Sequence, residues 1–439
     1  GGAMKKRHLT IASVLVILIF ILTGCVKGLF VVEKHVEVSE VKTIEPPAAS
    51  EELKPPEETP PPGEPSLMVP LPILADRQTI GCVLPLSGRF AEEGKKALDA
   101  ALLAAGIFND RSSSPWKIAV ADGGGSPGTM EQAITYLDEQ AKAMAIVAVC
   151  SASDAAGAAA EAQRRNIPLV LISSKEGATE AGEYVFQHFL TPSQQIEALA
   201  RYALDALNVA IFTVLYPEDD YGKEMLAQFR REAGNVGGKV LRSVPYNKTQ
   251  TDFTAQIQKL TGNRAAKPAK TYGTKEQAKE REPLDFEAIF IPDSAFRVKM
   301  IASQLAFYSV RGPKLLGTSL WNSPELLKKE VQYLEGAVFA DSFYVNGFLP
   351  ETNDFVDAFY VAYGREPGGM EALTYDTTKL VIRVLESPDV RTRADFIKSL
   401  KAVTGFCGAT GCISFRDSRV AQKNAFILKV QNGKLVQVK

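Results

Sequence analysis

The sequence predicts an α/β protein built from two consecutive open sheets of parallel strands. From residue 79 onward, short β-rich apolar runs alternate with segments whose apolar residues recur every three or four positions, the pattern of strands joined by crossover helices. The alternation starts afresh after Pro192. The stretch from residue 78 to 439 is also long enough for two domains of ordinary size.

The first run opens with a strand at 79–84. Phe90, Gly94, Ala97, Leu98, Ala101, Ala105 and Phe108 then fall on one face of a helix. Strands follow at 117–121, 145–149 and 168–172, with helices near 130–142 and 155–165. The second run places strands at 209–215, 239–245, 288–291 and 314–317, with helices near 222–232, 253–260 and 295–308. Between them, 264–282 is polar, Lys-rich and without period, which reads as a surface insertion. After an apolar run at 336–340 come helices near 355–363, 370–386 and 394–400. The chain closes in strands at 424–430 and 435–438 around Asn432-Gly433, a hairpin turn signal.

Ahead of this region, Lys5, Lys6 and Arg7 precede an uncharged apolar run ending in Leu22-Thr23-Gly24-Cys25. Basic residues, an apolar stretch and small residues before a cysteine predict a lipoprotein signal over 1–24, with lipid attached to Cys25. The competing reading, an uncleaved span, needs about 20 apolar residues. Residues 25–77 read as the lipidated cysteine and a Pro/Glu-rich tether with little to bury. Cys82 and Cys150 lie in apolar runs and read as inert buried thiols. Cys407 and Cys412, four residues apart with two glycines between, suit a hairpin disulfide in an oxidising compartment, with a pair of free thiols as the alternative.

Several functions are disfavoured. With 50 basic against 51 acidic side chains, no net field draws nucleic acid. Of three histidines only His188 lies in the folded region, where it reads as a surface or domain-edge residue, so a His-based triad or metal cluster is excluded. Gly123 to Gly128 spells G-x-G-x-x-G, but it follows the second strand, and the next strand ends in Cys150-Ser151 with no acid to hold a ribose. It reads as a turn. Asp219-Asp220 lacks the alternating acids of a calcium loop.

Ligands of open α/β sheets sit beyond the carboxyl ends of the strands. The residues there are small and polar: Ser87 after the first strand, Ser151 and Ser153 after the third, Ser173 and Lys175 after the fourth. In the second run they are Tyr221, then Asp293 and Ser294, then Ser319 and Trp321. Hydroxyls beside helix amides can hold an oxyanion; each Ser or Asp can equally cap the next helix.

The segments 80–94 (IGCVLPLSGRFAEEG), 166–176 (NIPLVLISSKE), 212–222 (FTVLYPEDDYG) and 316–336 resemble the leucine-binding family of type I periplasmic binding proteins over about 79–439. The resemblance implies two Rossmann-like lobes joined by three crossover strands, with a ligand caught in the interlobe cleft as a hinge closes. Lobe 1 is then 78–190 with 342–404, and lobe 2 is 191–341 with 405–439.

It also implies roles: Ser151 as the serine after the third strand, Ser173 as a backbone contact, Tyr221 as the second lobe's tyrosine. Three positions depart. Lys175 stands for a threonine at the ligand's amino group, Glu93 for an aromatic, and Ser319 for the acid that anchors the ammonium. A lysine repels an ammonium, so an anionic or uncharged ligand, or none, fits better; alternatively Glu93 and Lys175 pair across the cleft.

The expectation is a non-enzymatic, lipid-anchored receptor without cofactor or metal. It captures a small polar ligand, amino-acid-like or anionic, and presents it to an ABC transporter permease. Segments 290–294 and 316–324 are also similar to outer-membrane penicillin-binding protein activators. That similarity implies the rival role, a lipoprotein that regulates a peptidoglycan synthase through protein contacts.

Overall fold

The computed structural model describes residues 75–108, 113–126, 128–262, 264, 283–329, 331–416 and 418–439. The signal, Cys25, the tether up to residue 74 and nearly all of the polar segment 264–282 lie outside the described residues, and the last residues given to the tether, Asp76 and Arg77, already belong to the first strand.

A first sheet comprises β1 (Asp76–Leu84), β2 (Lys117–Asp122), β3 (Ala143–Val149), β4 (Leu169–Ile172) and β5 (Val185–Gln187). All pair in parallel in the order β2-β1-β3-β4-β5. Between these strands run α1 (Ala91–Ala104), α2 (Thr129–Glu139) and α3 (Ala155–Arg164). The central strands are buried on both faces, as parallel strands must be. Ile80, Cys82, Leu84 and Val147 pack toward α1, while Val83, Ile146 and Ala148 pack toward α2 and α3.

The chain then crosses to α4 (Pro192–Leu207) and a second sheet. That sheet holds β6 (Ile211–Pro217), β7 (Lys239–Tyr246), β8 (Ala288–Phe290), β9 (Lys314–Gly317) and β10 (Val338–Asp341), alternating with α5 (Asp220–Asn235), α6 (Thr254–Thr261) and α7 (Ala295–Phe307). α4 was not foreseen, although its start is marked: Thr191 accepts from the Gln194 amide, the Gln194 side chain returns to the Thr191 amide, and Pro192 fills the first turn.

After β10 the chain crosses back to α8 (Pro350–Tyr363), α9 (Gly369–Leu385) and α10 (Arg393–Lys401). α9 and α10 cover the face of the first sheet that α1 covers, through Leu380, Val381, Phe396 and Leu400. A small sheet follows, made of β11 (Phe406–Gly408), β12 (Gly411–Ser414) and β13 (Gln422–Lys423). The third crossing leads to β14 (Phe426–Gln431) and β15 (Lys434–Gln437), which extend the second sheet in the order β15-β14-β10-β9-β8-β6-β7. Their turn, Asn432-Gly433, has φ of 53° and 70°, the paired positive values of a two-residue hairpin.

One boundary differs from the expectation. The return to the second lobe does not begin at residue 405: Ile413, Phe415 and Ala421 lie in the core of the first sheet, and Phe415 meets Phe186 edge-on at 5.2 Å. Gln187 donates to the Arg419 carbonyl and accepts from the Ala421 amide, each at 2.8 Å. Segment 406–421 therefore packs with the first lobe, because Phe415 is buried only there. Cys407 and Cys412 are opposite residues of β11 and β12 and are disulfide-bonded.

α2, α3 and α10 are tied by one buried carboxylate. Asp138 accepts from Arg165 at 3.1 Å and from Arg393 at 2.7 Å, with its side chain 4% exposed. Asp138→Ala takes from Arg393 its carboxylate, while Arg165 keeps Glu139 and Glu161, and is expected to lower unfolding free energy by about 3 kcal/mol, read by urea denaturation. The disulfide closes a short loop. Under denaturing conditions two thiols should stay unreactive until reductant is added, and reduction should cost only about 2 kcal/mol.

Candidate functional site

An open parallel sheet has a crevice where the connections of adjacent strands leave on opposite faces. In the first sheet that place lies between β1, followed by α1 on one face, and β3, followed by α3 on the other. In the second it lies between β6, followed by α5, and β8, followed by α7. The loops at these points are 85–88 and 151–154, then 218–221 and 291–294.

Loop 85–88 is held by a residue that sequence reading passed over, Asp122 at the end of β2. Its Oδ1 accepts from the amides of Leu86 at 2.9 Å, Ser87 at 3.2 Å and Gly124 at 2.8 Å. Burial opposes the charge, but these bonds and one from the Ser87 hydroxyl outweigh it and hold the carboxyl below its usual range. The glycine run serves the same contact: a Cβ on Gly124 would lie 2.4 Å from the Ser87 carbonyl oxygen.

Ser151 donates to Asp154 at 2.6 Å, so the Ser153 hydroxyl, 2.7 Å away, donates to Ser151. Ser173 is buried, and its carbonyl accepts from the Gln187 amide at 2.6 Å. Gln187 also bonds the Lys175 carbonyl at 2.9 Å, so β5 fixes the backbone of this loop. The Lys175 side chain is exposed and borders a recess of about 300 Å³ with Ala156, Glu176 and Glu180. Glu93 pairs with Lys96 at 3.1 Å along α1, a partner one helical turn away, rather than with Lys175 as the alternative reading had it.

In the second sheet, Asp219 caps α5 through the Gly222 amide at 2.8 Å and meets Lys248 at 2.9 Å. Tyr221 follows it. The residue is 37% exposed overall, and partial desolvation first, then Asp293 and Asp219, push the phenol up, against the Thr318 hydroxyl alongside. Thr318, in the post-strand segment that also holds Ser319, is 4% exposed, and its hydroxyl lies beside the Tyr221 phenol. Asp293 accepts from the Tyr246 hydroxyl at 2.5 Å and from the Ser294 amide at 2.6 Å, while Ser294 caps α7. Ser319 donates its amide to Gln195 of α4 at 3.1 Å.

Trp321 is not a cleft residue. Its indole is fully buried in the core beside Phe339, its Nε1 donates to the Ile291 carbonyl at 3.1 Å, and it lies over Gly317, where a Cβ would come within 2.1 Å of the ring. His188 is fully buried as well, not on the surface, and bonds Thr377 at 2.9 Å.

The Asp122 clamp is directly testable. Asp122→Ala should speed hydrogen exchange at the amides of Leu86, Ser87 and Gly124 at least about tenfold, since each bond to a carboxylate contributes about 1.5–3 kcal/mol; exchange in β3 should not change.

Comparison with known proteins follows this geometry. A family model described as periplasmic binding protein matches residues 77–434. No curated protein matches in sequence. Among solved structures, a putative branched-chain amino acid ABC transporter from Rhodospirillum rubrum superposes with a TM-score of 0.70 at 18% identity, covering 82% of this chain and 99% of that one. A branched-chain amino acid transporter substrate binding protein from Streptococcus pneumoniae, in complex with isoleucine, gives 0.60 at 23%, covering 82% and 99%. A solute binding protein from R. palustris, in complex with benzoate, gives 0.59 at 16%, covering 82% and 95%. With the match spanning both sheets and all three crossings, the chain belongs to the periplasmic binding protein family.

Proposed function

We propose that this protein is a lipid-anchored extracytoplasmic receptor that captures a small polar ligand between its two lobes and delivers it to an ABC transporter. The observation that carries the reading is the set of polar groups beyond the carboxyl ends of the strands, at the two switch points and in the loops after β4 and β9. Lobe 1 offers the exposed Lys175 ammonium and, as acceptors, the Ser151 and Ser153 hydroxyls, whose protons go to Asp154 and Ser151; lobe 2 offers Tyr221 with the Thr318 hydroxyl beside it. A ligand touching both sets is bound more tightly by the closed form than by the open one, which is the differential affinity that drives closure. Lys175 favours an acid. Family neighbours solved with isoleucine and with benzoate both hold a carboxylate-bearing compound, and a carboxylate is a direct partner for that ammonium.

The lipid anchor rests on Lys5, Lys6, Arg7 and the Leu22-Thr23-Gly24-Cys25 ending. Metabolic labelling with a fatty acid should mark the protein, and Cys25→Ser should abolish the label.

A panel of amino acids, aliphatic acids and aromatic acids should raise the melting temperature for at least one acid. At a hundredfold excess over Kd the gain is about 2.7 kcal/mol, a shift of several degrees. Lys175→Ala should weaken that acid about ten- to hundredfold, the loss of one charge-assisted bond, without moving the ligand-free melting temperature. A silent panel together with capture of a peptidoglycan synthase would favour the cell-wall regulator instead.

A further inference from the structure

The three crossings between the lobes bring together polar groups that the proposed cleft does not use. His188 follows β5 on the first crossing, Asp341 ends β10 at the second, and Lys423 ends β13 at the third. Asp376 comes from α9 and Thr410 from the turn between β11 and β12. Each of these five residues is at least nine-tenths buried.

The hydrogen bonds have a fixed direction. Thr377 donates its hydroxyl to the Leu373 carbonyl at 2.6 Å, so it accepts from Nδ1 of His188 at 2.9 Å. His188 then carries its proton on Nδ1 and turns the Nε2 lone pair to Lys423 Nζ, 3.4 Å away. Thr410 donates to Asp376 Oδ2 at 2.6 Å and accepts from Lys423 at 2.9 Å. The Asp376 carboxylate also takes the amides of Ala409 at 2.8 Å and Thr410 at 2.7 Å. Asp341 takes the Ser342 amide at 2.6 Å and Asn322 at 2.8 Å. Lys423 is thus the cation set among two carboxylates and a neutral imidazole. It ends β13, which pairs with β12, just before the chain crosses to β14 of the second lobe, and its bonds reach groups anchored to the first.

We propose that Lys423 is a positioning residue of the hinge: its ammonium ties the third crossing to the first crossing and to the β11–β12 turn, and so fixes the angle between the lobes before ligand arrives. This rests on the two-lobe capture reading, since an angle of the lobes matters only if they close on something. The consequence is a dependence on pH. Burial lowers Lys423 to about 8, opposed by Asp376 and Asp341. Burial raises Asp341 to about 6 and raises Asp376. Burial and then Lys423 hold His188 well below its usual value. Near pH 7 the ammonium and the Asp341 carboxylate are charged and the imidazole is neutral. As pH rises through about 8 the ammonium loses its proton and the tie loses its charge.

The sign distinguishes this from unfolding. A lysine whose folded value is lowered binds its proton less tightly than in the unfolded chain, so between about 8 and its ordinary value this group makes stability rise with pH. Loosening the hinge there is therefore not a loss of the fold.

The test is an interlobe distance in the full ligand-free protein, between spin labels at exposed Ala160 of α3 and Lys223 of α5. The wild-type distribution should be narrow at pH 7 and broaden by pH 9.5. Lys423→Met should be broad at both values. Lys423→Arg, which keeps its charge, should be narrow at both. A wild-type distribution unchanged from pH 7 to 9.5, or a Lys423→Met distribution that matches the wild type at pH 7, overturns the proposal. The wild-type titration stands even if a variant fails to fold. Because no ligand enters the measurement, a negative result here leaves the capture reading intact, and a silent ligand panel leaves the hinge result intact.

Discussion

A parallel strand can be joined to its neighbour only through a crossover on one face of the sheet, and a sheet buried on both faces must send crossovers to each. That constraint decides where this molecule can bind anything. In each sheet the first strand of the run sits inside, with connections leaving to opposite faces beside it, so the carboxyl edge opens between β1 and β3 and again between β6 and β8. Apolar burial on four faces, by α1 with α9 and α10, by α2 with α3, by α4 with α5, and by α6 with α7, holds both openings in place.

The loops at those openings are rigid for reasons particular to this sequence. Asp122 draws in three amides, Gln187 ties down the carbonyls of Ser173 and Lys175, and Asp293 is fixed by Tyr246. Gln187 is buried and Asp293 half-buried, so their bonds would be costly to leave unmade, while Asp122 is exposed and holds its loop by the number of amides it accepts. Among the described residues, the groups presented at the edges include the Lys175 ammonium and the Tyr221 phenol with the Thr318 hydroxyl beside it. Pre-organised loops with few free groups lose little entropy when a small molecule binds.

Most of the architecture was legible in the residue pattern, because burial on two faces forces apolar runs and burial on one stripe forces helical spacing. The Asn432-Gly433 turn was legible for a local reason, as both positions need positive φ. α4 was legible and passed over, since Thr191, Pro192 and Gln194 spell its start. Other features were not local. Nothing between 405 and 421 says which sheet it joins; Phe415 answers only by finding Phe186. Trp321 reads as a loop aromatic until Gly317 is seen beneath its ring. Thr318 carries no signal beyond its place at the end of β9. His188 reads as a lone surface or domain-edge histidine because its partners, Thr377 and Lys423, are 189 and 235 residues away.

The claim on which the account turns is that one small molecule touches both lobes at once. A crystal structure of the full chain with the acid that most raises its melting temperature tests this most directly. The account predicts a ligand whose carboxylate meets Lys175 while its other end meets Tyr221 and Thr318. A ligand seated on one lobe alone, or away from both carboxyl edges, would contradict it.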